Sequence, residues 1–233
     1  MKPETFNQHT EPLRFERKFL ISDYSYKDVE QMIKFHPACF SEIFHQRIVN
    51  NIYFDTFVLT HYYDNVEGSP DRLKSRMRWY GDTFGKIEKP VLEFKIKKGL
   101  LGRKEMYPLK SFLLDANFNQ SEIKKALDDV SVPQHIKNEL VSLKPTLLNS
   151  YTRKYYSSAD KNYRITVDHK LTYYKIGYTG NTFTNKSTDY NSTVLELKYD
   201  SSFEHEANLV ANQLAFPLTK NSKYLQGLER VFI

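Results

Sequence analysis

Cysteine is almost absent: Cys39 stands alone among 233 residues. An internal disulfide is therefore impossible, which excludes a disulfide scaffold and suits a reducing compartment. No apolar run approaches the roughly 20 residues that a membrane-spanning helix needs. The opening MKPETFNQHTEPLRFERK carries no signal-peptide core. The 8 glycines and 9 prolines form no linker, low-complexity tract or repeat. The chain also has no P-loop and no dinucleotide-binding glycine motif. It has no GxSxG nucleophile elbow, and its seven histidines show no HxH or HExxH zinc spacing. These absences lead to the expectation of one cytoplasmic domain over residues 13–233, preceded by a loose tail at 1–12.

Charge and aromatic side chains are what the sequence has in quantity. Lysine and arginine number 34 against 28 acidic residues, a net charge of +6, with 17 Tyr and 16 Phe. A packed core is within reach. The positive balance points to nucleic acid, an anionic membrane surface or a phosphate-rich substrate.

Alternation with a period of two predicts strands at Arg14–Ile21, Ile48–Thr56, Arg72–Gly81, Val91–Lys98, Arg103–Lys110, Leu148–Ser157, Tyr163–Gly177 and Val194–Asp200. Helical spacing appears at Tyr26–Phe35, Gln120–Val130, Pro133–Leu143 and Phe203–Leu214. The polar stretch Gly177–Ser192 reads as a long surface loop. The pattern is α+β, built on an antiparallel sheet large enough to close.

One parity of these strands is apolar and the other charged. The charged parity holds Arg14, Glu16 and Lys18; Lys74, Arg76 and Arg78; Glu93, Lys95 and Lys97; Arg153; Arg164, Asp168 and Lys170; Glu196 and Lys198. Eleven cations thus stand against four carboxylates, an excess larger than that of the whole chain. A solvated outer face normally mixes the two signs, and like charges opposed across strands repel. The repeated bias suggests that an anion relieves the repulsion, with the charged parity facing inward as a lining and helices covering the apolar side.

Phosphate suits such a lining: arginine binds it through a planar fork and lysine as a compact charge. With so few glycines, side chains rather than backbone amides must be the ligands. The interspersed carboxylates are explained by a hard divalent cation, Mn²⁺ or Mg²⁺, shared with phosphate oxygens. Glu196 is the first candidate ligand, followed by Glu16 and Glu93. For those last two, the alternative is a carboxylate that only pairs with a neighbouring lysine or arginine. Near the C-terminus, Lys220, Ser222 and Lys223 are either a helix cap or a further phosphate contact. Single-stranded nucleic acid remains a distant alternative partner.

The ordered series FERKFLI, NIYFDT, SRMRWYG, LEFKIKKG, YTRKYY, YRITVDHKL, VLELKYD and NSKYLQG resembles the VTC-type polyphosphate polymerase domain of the triphosphate tunnel metalloenzyme (CYTH-like) superfamily. The likeness runs from about Arg14 to Glu229. It implies a closed eight-stranded antiparallel barrel, a triphosphate tunnel with a charged interior, flanked by helices. It also implies transfer of the ATP γ-phosphoryl group onto phosphate or polyphosphate with Mn²⁺ or Mg²⁺. Matched position by position, Lys18, Arg76, Arg78, Lys95, Arg153 and Arg164 correspond to phosphate ligands at the reacting centre. Lys220, Ser222 and Lys223 correspond to substrate contacts, with Arg14 and Lys198 on the same charged parity, and Glu196 corresponds to the metal ligand. Lys104 is a weaker match, since Arg103 beside it could serve instead. The first strand reads Arg14-x-Glu16-x-Lys18 where the superfamily has ExExK, which favours the polymerase branch over the hydrolytic one. Without a membrane segment of its own, polymer synthesis into a membrane would require a separate membrane protein partner.

Overall fold

The structure is a computed structural model and describes residues 14–99, 101–128, 132–177 and 181–232. The expected tail at 1–12 lies outside these residues. The described elements run β1 (Arg14–Ile21), α1 (Tyr26–Lys34), β2 (Ser41–Asp55), α2 (Thr60–Val66), β3 (Arg72–Tyr80), β4 (Gly85–Ile87), β5 (Val91–Lys98), β6 (Leu101–Pro108) and β7 (Phe112–Leu114). They continue with α3 (Gln120–Asp128), α4 (Gln134–Ser142), β8 (Lys144–Ser157), β9 (Tyr163–Lys175), β10 (Lys186–Asp189), β11 (Thr193–Asp200), α5 (Glu204–Gln213) and α6 (Lys223–Phe232).

The main sheet follows the order β1-β11-β9-β8-β2-β3-β5-β6, with β10 paired to β9 off this path, and β4 and β7 form a separate two-stranded sheet. The eight strands of the path are the eight that alternation predicts. Their closure is not. β1 and β6 stand at the two ends, and among the described residues no ladder joins them. The sheet is a curled half-barrel, not the closed barrel that the resemblance implies.

Packing divides the chain into two compact units, each assembled from three separate segments. Three of the crossings between them fall inside β2, β8 and β9, so no linker marks them in the sequence. In the first unit, Phe19, Ile21, Ile165, Val167, Leu195 and Leu197 from the strands pack with Val29 and Ile33 of α1 and with Ala207 and Val210 of α5. α1 is opened by a capping box in which the Ser25 hydroxyl accepts from the Asp28 amide and the Asp28 carboxylate accepts from the Ser25 amide. In the second unit, Ile52, Phe54, Met77, Trp79, Leu92 and Phe94 pack with Phe112 and Leu114 of β7, Ile123 of α3 and Ile136 of α4. In both units the apolar parity is buried beneath helices, which leaves the charged parity on the opposite face of each strand.

The polar stretch 177–192 contains a strand, β10, where a loop is expected. α6 approaches the strands of its own unit unusually closely: a Cβ on Gly227 would collide with Leu147 and lie 2.5 Å from Cδ1 of Tyr173. The glycine of NSKYLQG is therefore a packing requirement.

Candidate functional site

On β3 and β5 of the second unit the register sets Arg76 opposite Glu93, while Lys95 lies opposite both Lys74 and Lys104. Arg76 donates to Oε2 of Glu93 from Nε at 2.8 Å and from Nη2 at 2.6 Å. Nη1 of Arg78 lies 3.5 Å and Nζ of Lys104 3.2 Å from the other oxygen. Burial alone would raise the Glu93 carboxyl, but Arg76, Arg78 and Lys104 hold it at about 2. Lys104 is itself pushed down by burial and by the two arginines, against the pull of Glu93. Arg103, one residue earlier, points to the other face, where it pairs with Glu105 at 2.7 Å. Register thus decides between the two: Lys104 joins the cluster and Arg103 does not.

A second buried arrangement in the same unit centres on Asp168, which is wholly inaccessible to solvent. Arg153 donates to both of its oxygens, from Nη2 to Oδ2 at 2.6 Å and from Nε to Oδ1. Lys223, the first residue of α6, reaches Oδ2 at 2.7 Å. Both cations also face the ring of buried Tyr151, Arg153 at 5.2 Å and Lys223 at 5.0 Å from its centroid. Burial would raise the Tyr151 phenol, yet Arg153, Arg78 and Lys223 bring it below its ordinary value. Arg78 is held by an amide relay, its Nε donating to Asn51 at 3.1 Å and Asn51 donating to Asn149 at 3.3 Å. Five cations here surround two buried carboxylates. This surplus is suited to taking up a polyanion.

In the first unit, β1 and β11 pair so that Glu16 faces Lys198 and Lys18 faces Glu196. Nζ of Lys18 lies 2.9 Å from Glu16 and 3.9 Å from Glu196. Nζ of Lys198 lies 3.8 Å and 3.2 Å from the same two residues. Burial and Glu196 push the Glu16 carboxyl up, but Lys18 and Lys198 outweigh them and leave it below the ordinary range. Glu196 is buried, and its Oε2 lies 3.5 Å from the Thr166 hydroxyl. Two carboxylates converging on cations from adjacent strands are a donor set fit for a hard divalent ion, which would complete its shell with phosphate oxygens and water. Glu93 differs in that, among the described ion pairs, Arg76, Arg78 and Lys104 are shared with no second carboxylate. Among the described residues, no group of three His, Cys, Asp or Glu is disposed to hold a metal.

The remaining candidates are dispersed. Lys95, Arg164 and Lys220 are exposed. Ser222 lies 3.5 Å from Nδ2 of Asn65, at the limit of a hydrogen bond. Arg14 faces Asp200 in the backbone register, and its side chain lies outside the description. Tyr151, Asn51 and Asn149 are missed by charge counting because they are neutral, although all three fall on the parity of their charged neighbours Arg153 and Arg78.

A family model described as VTC domain matches residues 13–232. No curated protein matches the sequence. Among solved structures, a candidate adenylate cyclase from Vibrio parahaemolyticus superposes with a TM-score of 0.51 at 11% identity, over 94% of this chain and 98% of that one. A candidate adenylate cyclase from Bacillus halodurans gives 0.51 at 15% identity, over 92% and 96%. HpAC1 from Hippeastrum, a candidate adenylyl cyclase described as having a dominant triphosphatase activity, gives 0.50 at 15% identity, over 91% and 93%. At these identities the likeness is one of fold.

Proposed function

The chain belongs to the VTC domain family, and from that premise we propose that it moves the γ-phosphoryl group of ATP onto phosphate or a growing polyphosphate. The P–O bond to ADP breaks, and a new P–O–P bond forms to the terminal oxygen of the acceptor. That oxygen is already ionised near neutral pH, so the reaction needs positioning and charge stabilisation rather than a strong base. The observation that carries the reading is the surplus of cations over carboxylates at Arg76, Arg78, Lys104, Arg153 and Lys223, set around Glu93 and Asp168.

In this reading Arg76, Arg78 and Arg153 clamp phosphate oxygens through their planar forks, and Lys95, Lys104 and Lys223 offset charge on the transferred group. In the first unit, Lys18 and Arg164 match phosphate ligands of the family, Lys220 matches a substrate contact, and Lys198 and Arg14 share their charged parity; Ser222 in the second unit matches a further substrate contact. In the first unit, Glu16 and Glu196 would hold a divalent ion, whose chemistry when bound is to neutralise charge on oxygen ligands. Lys18 and Lys198 keep that carboxylate pair neutralised in its absence. Among the described residues no helix is long and apolar enough to cross a membrane.

Incubation with ATP and Mn²⁺ or Mg²⁺, followed by gel separation, tests the proposal. A polymer ladder accompanied by ADP is the expected result. Orthophosphate released from tripolyphosphate without chain growth would replace transfer by hydrolysis. Binding that persists in chelator, with no turnover when metal is restored, would reduce the protein to a polyphosphate-binding module.

A further inference from the structure

We propose that Glu93 is an internal competitor for the arginines of the phosphate site: it holds Arg76 and Arg78 while no phosphate is bound, yields them to an arriving polyanion, and retakes them as product departs. The inference rests on the phosphate reading given above and assigns its regulation to one side chain.

The geometry sets Glu93 apart from the other buried carboxylate. Both Arg76 bonds converge on Oε2, while Arg78 and Lys104 approach Oε1. These are the same donors that a phosphate oxygen would use. Asp168 is enclosed, and its partners Arg153 and Lys223 have side chains only 9% and 8% exposed. The partners of Glu93 are more open: the side chains of Arg76, Arg78 and Lys104 are 27%, 15% and 45% exposed. A polyanion can therefore displace Glu93 more readily than Asp168, which keeps its bonds to Arg153 and Lys223.

Three cations around one carboxylate leave a surplus, so an anion of several charges outcompetes Glu93, and orthophosphate does so less well. When the anion leaves, the carboxylate restores the pairing and no arginine is left bare. Glu93 thus keeps polyanion affinity low enough for release. A side chain that only held the arginines in place would have the opposite effect, since its loss would weaken binding.

Calorimetric titration of the full chain with tripolyphosphate in chelator, where nothing turns over, separates the two. Glu93→Gln is expected to bind tripolyphosphate at least ~10-fold tighter than the wild type, with a smaller gain for orthophosphate. Glu93→Asp retains the charge and should stay near the wild-type affinity. In turnover, kcat and KM should fall together in Glu93→Gln as release slows. Unchanged or weaker binding by Glu93→Gln would overturn the proposal and make Glu93 a structural clamp. If that variant fails to fold, the wild type still decides. Its Arg76 Nε–H resonance, assigned by its loss in Arg76→Lys, must shift on saturation with tripolyphosphate, and an unmoved signal refutes displacement. Failure of the wild type to bind tripolyphosphate at all would instead bring down the phosphate reading itself, a result distinct from binding that Glu93→Gln leaves unaltered.

Discussion

Arg153 and Asp168 meet through two side-by-side hydrogen bonds on neighbouring strands, both residues buried, with Lys223 closing on the same carboxylate. Removing the acid takes their shared carboxylate from two buried cations. Asp168→Asn should therefore cost about 3–5 kcal/mol, the range for breaking a buried ion pair from one side. The pair of Arg230 with Asp189 gives the comparison: its arginine side chain is 40% exposed, so Arg230→Ala should cost no more than ~1 kcal/mol. Urea denaturation of the two variants tests the contrast, and equal midpoints would contradict it.

Gly227 makes a second stability prediction. A methyl group at this position meets Leu147 and Tyr173 at distances no relaxed structure accepts, so α6 or the strands must shift. Gly227→Ala should lose about 1–3 kcal/mol by overpacking, even though alanine is the better helix former. Trimming Tyr173 to leucine in the same chain should return part of the loss. A double-mutant cycle measures that coupling, and simple additivity would remove the explanation.

What the sequence could reveal follows from these contacts. β1 and β5 have the bounds that alternation predicts, because apolar and charged side chains alternate in both, with Arg17 of β1 the exception on the apolar parity, where it pairs with Tyr199 and Glu204. β10 reads Lys-Ser-Thr-Asp and has no apolar parity; it is a strand because its backbone pairs with β9. α2 begins after Leu59 in a left-handed conformation, and its first amides are met by Asp55, whose oxygens accept from the backbone of His61 and Tyr62. That cap comes from the preceding strand, so no local spacing signals it. α6 carries a glycine at its centre, which in sequence reads as a break. Closure of the sheet depends on whether β1 and β6 meet, and nothing within either strand encodes it. The arginines of the site were visible as charge parity, but the choice of Lys104 over Arg103 required the β5–β6 register, and the role of Tyr151 required its neighbours.

Glu93 should leave a mark on acid stability. Its carboxyl sits at about 2 in the fold and near the ordinary 4.5 when unfolded. A lowered value means that the folded state favours the ionised form, so the contribution is complete above about pH 4.5 and is lost as the pH falls toward about 2. Urea midpoints measured across this window should show wild type and Glu93→Gln converging as the solution is acidified. A gap that stays constant with pH would mean that ionised Glu93 contributes no pH-linked stability.

The two faces of β6 separate function from surface. Lys104→Ala removes a cation from the Glu93 cluster and should lower ATP-dependent polymer formation, while Arg103→Ala, on the opposite face with Glu105, should leave it intact. Arg78→Ala should be more severe, with a loss on the order of 10²–10³ in kcat, as when other preorganised charge-stabilising donors are removed. Initial rates of ADP release alongside polymer length give the readout. Full activity in Arg78→Ala would exclude it from the reaction.

Glu16 and Glu196 converge on Lys18 and Lys198, whereas Glu93 is held by Arg76, Arg78 and Lys104, so the two sets of carboxylates should respond differently to metal. Mn²⁺ added with tripolyphosphate, and followed through its paramagnetic resonance signal, should bind the wild type and bind Glu196→Gln at least ~10-fold more weakly, the scale expected when one ligand of a hard-ion site is lost. Glu16→Gln should weaken it in the same direction, because its carboxylate shares both lysines with Glu196. Glu93→Gln removes no metal donor and should bind Mn²⁺ at least as well as the wild type. Loss of Mn²⁺ in Glu93→Gln, with retention in Glu196→Gln, would transfer the metal from the first unit to the second and reverse this assignment.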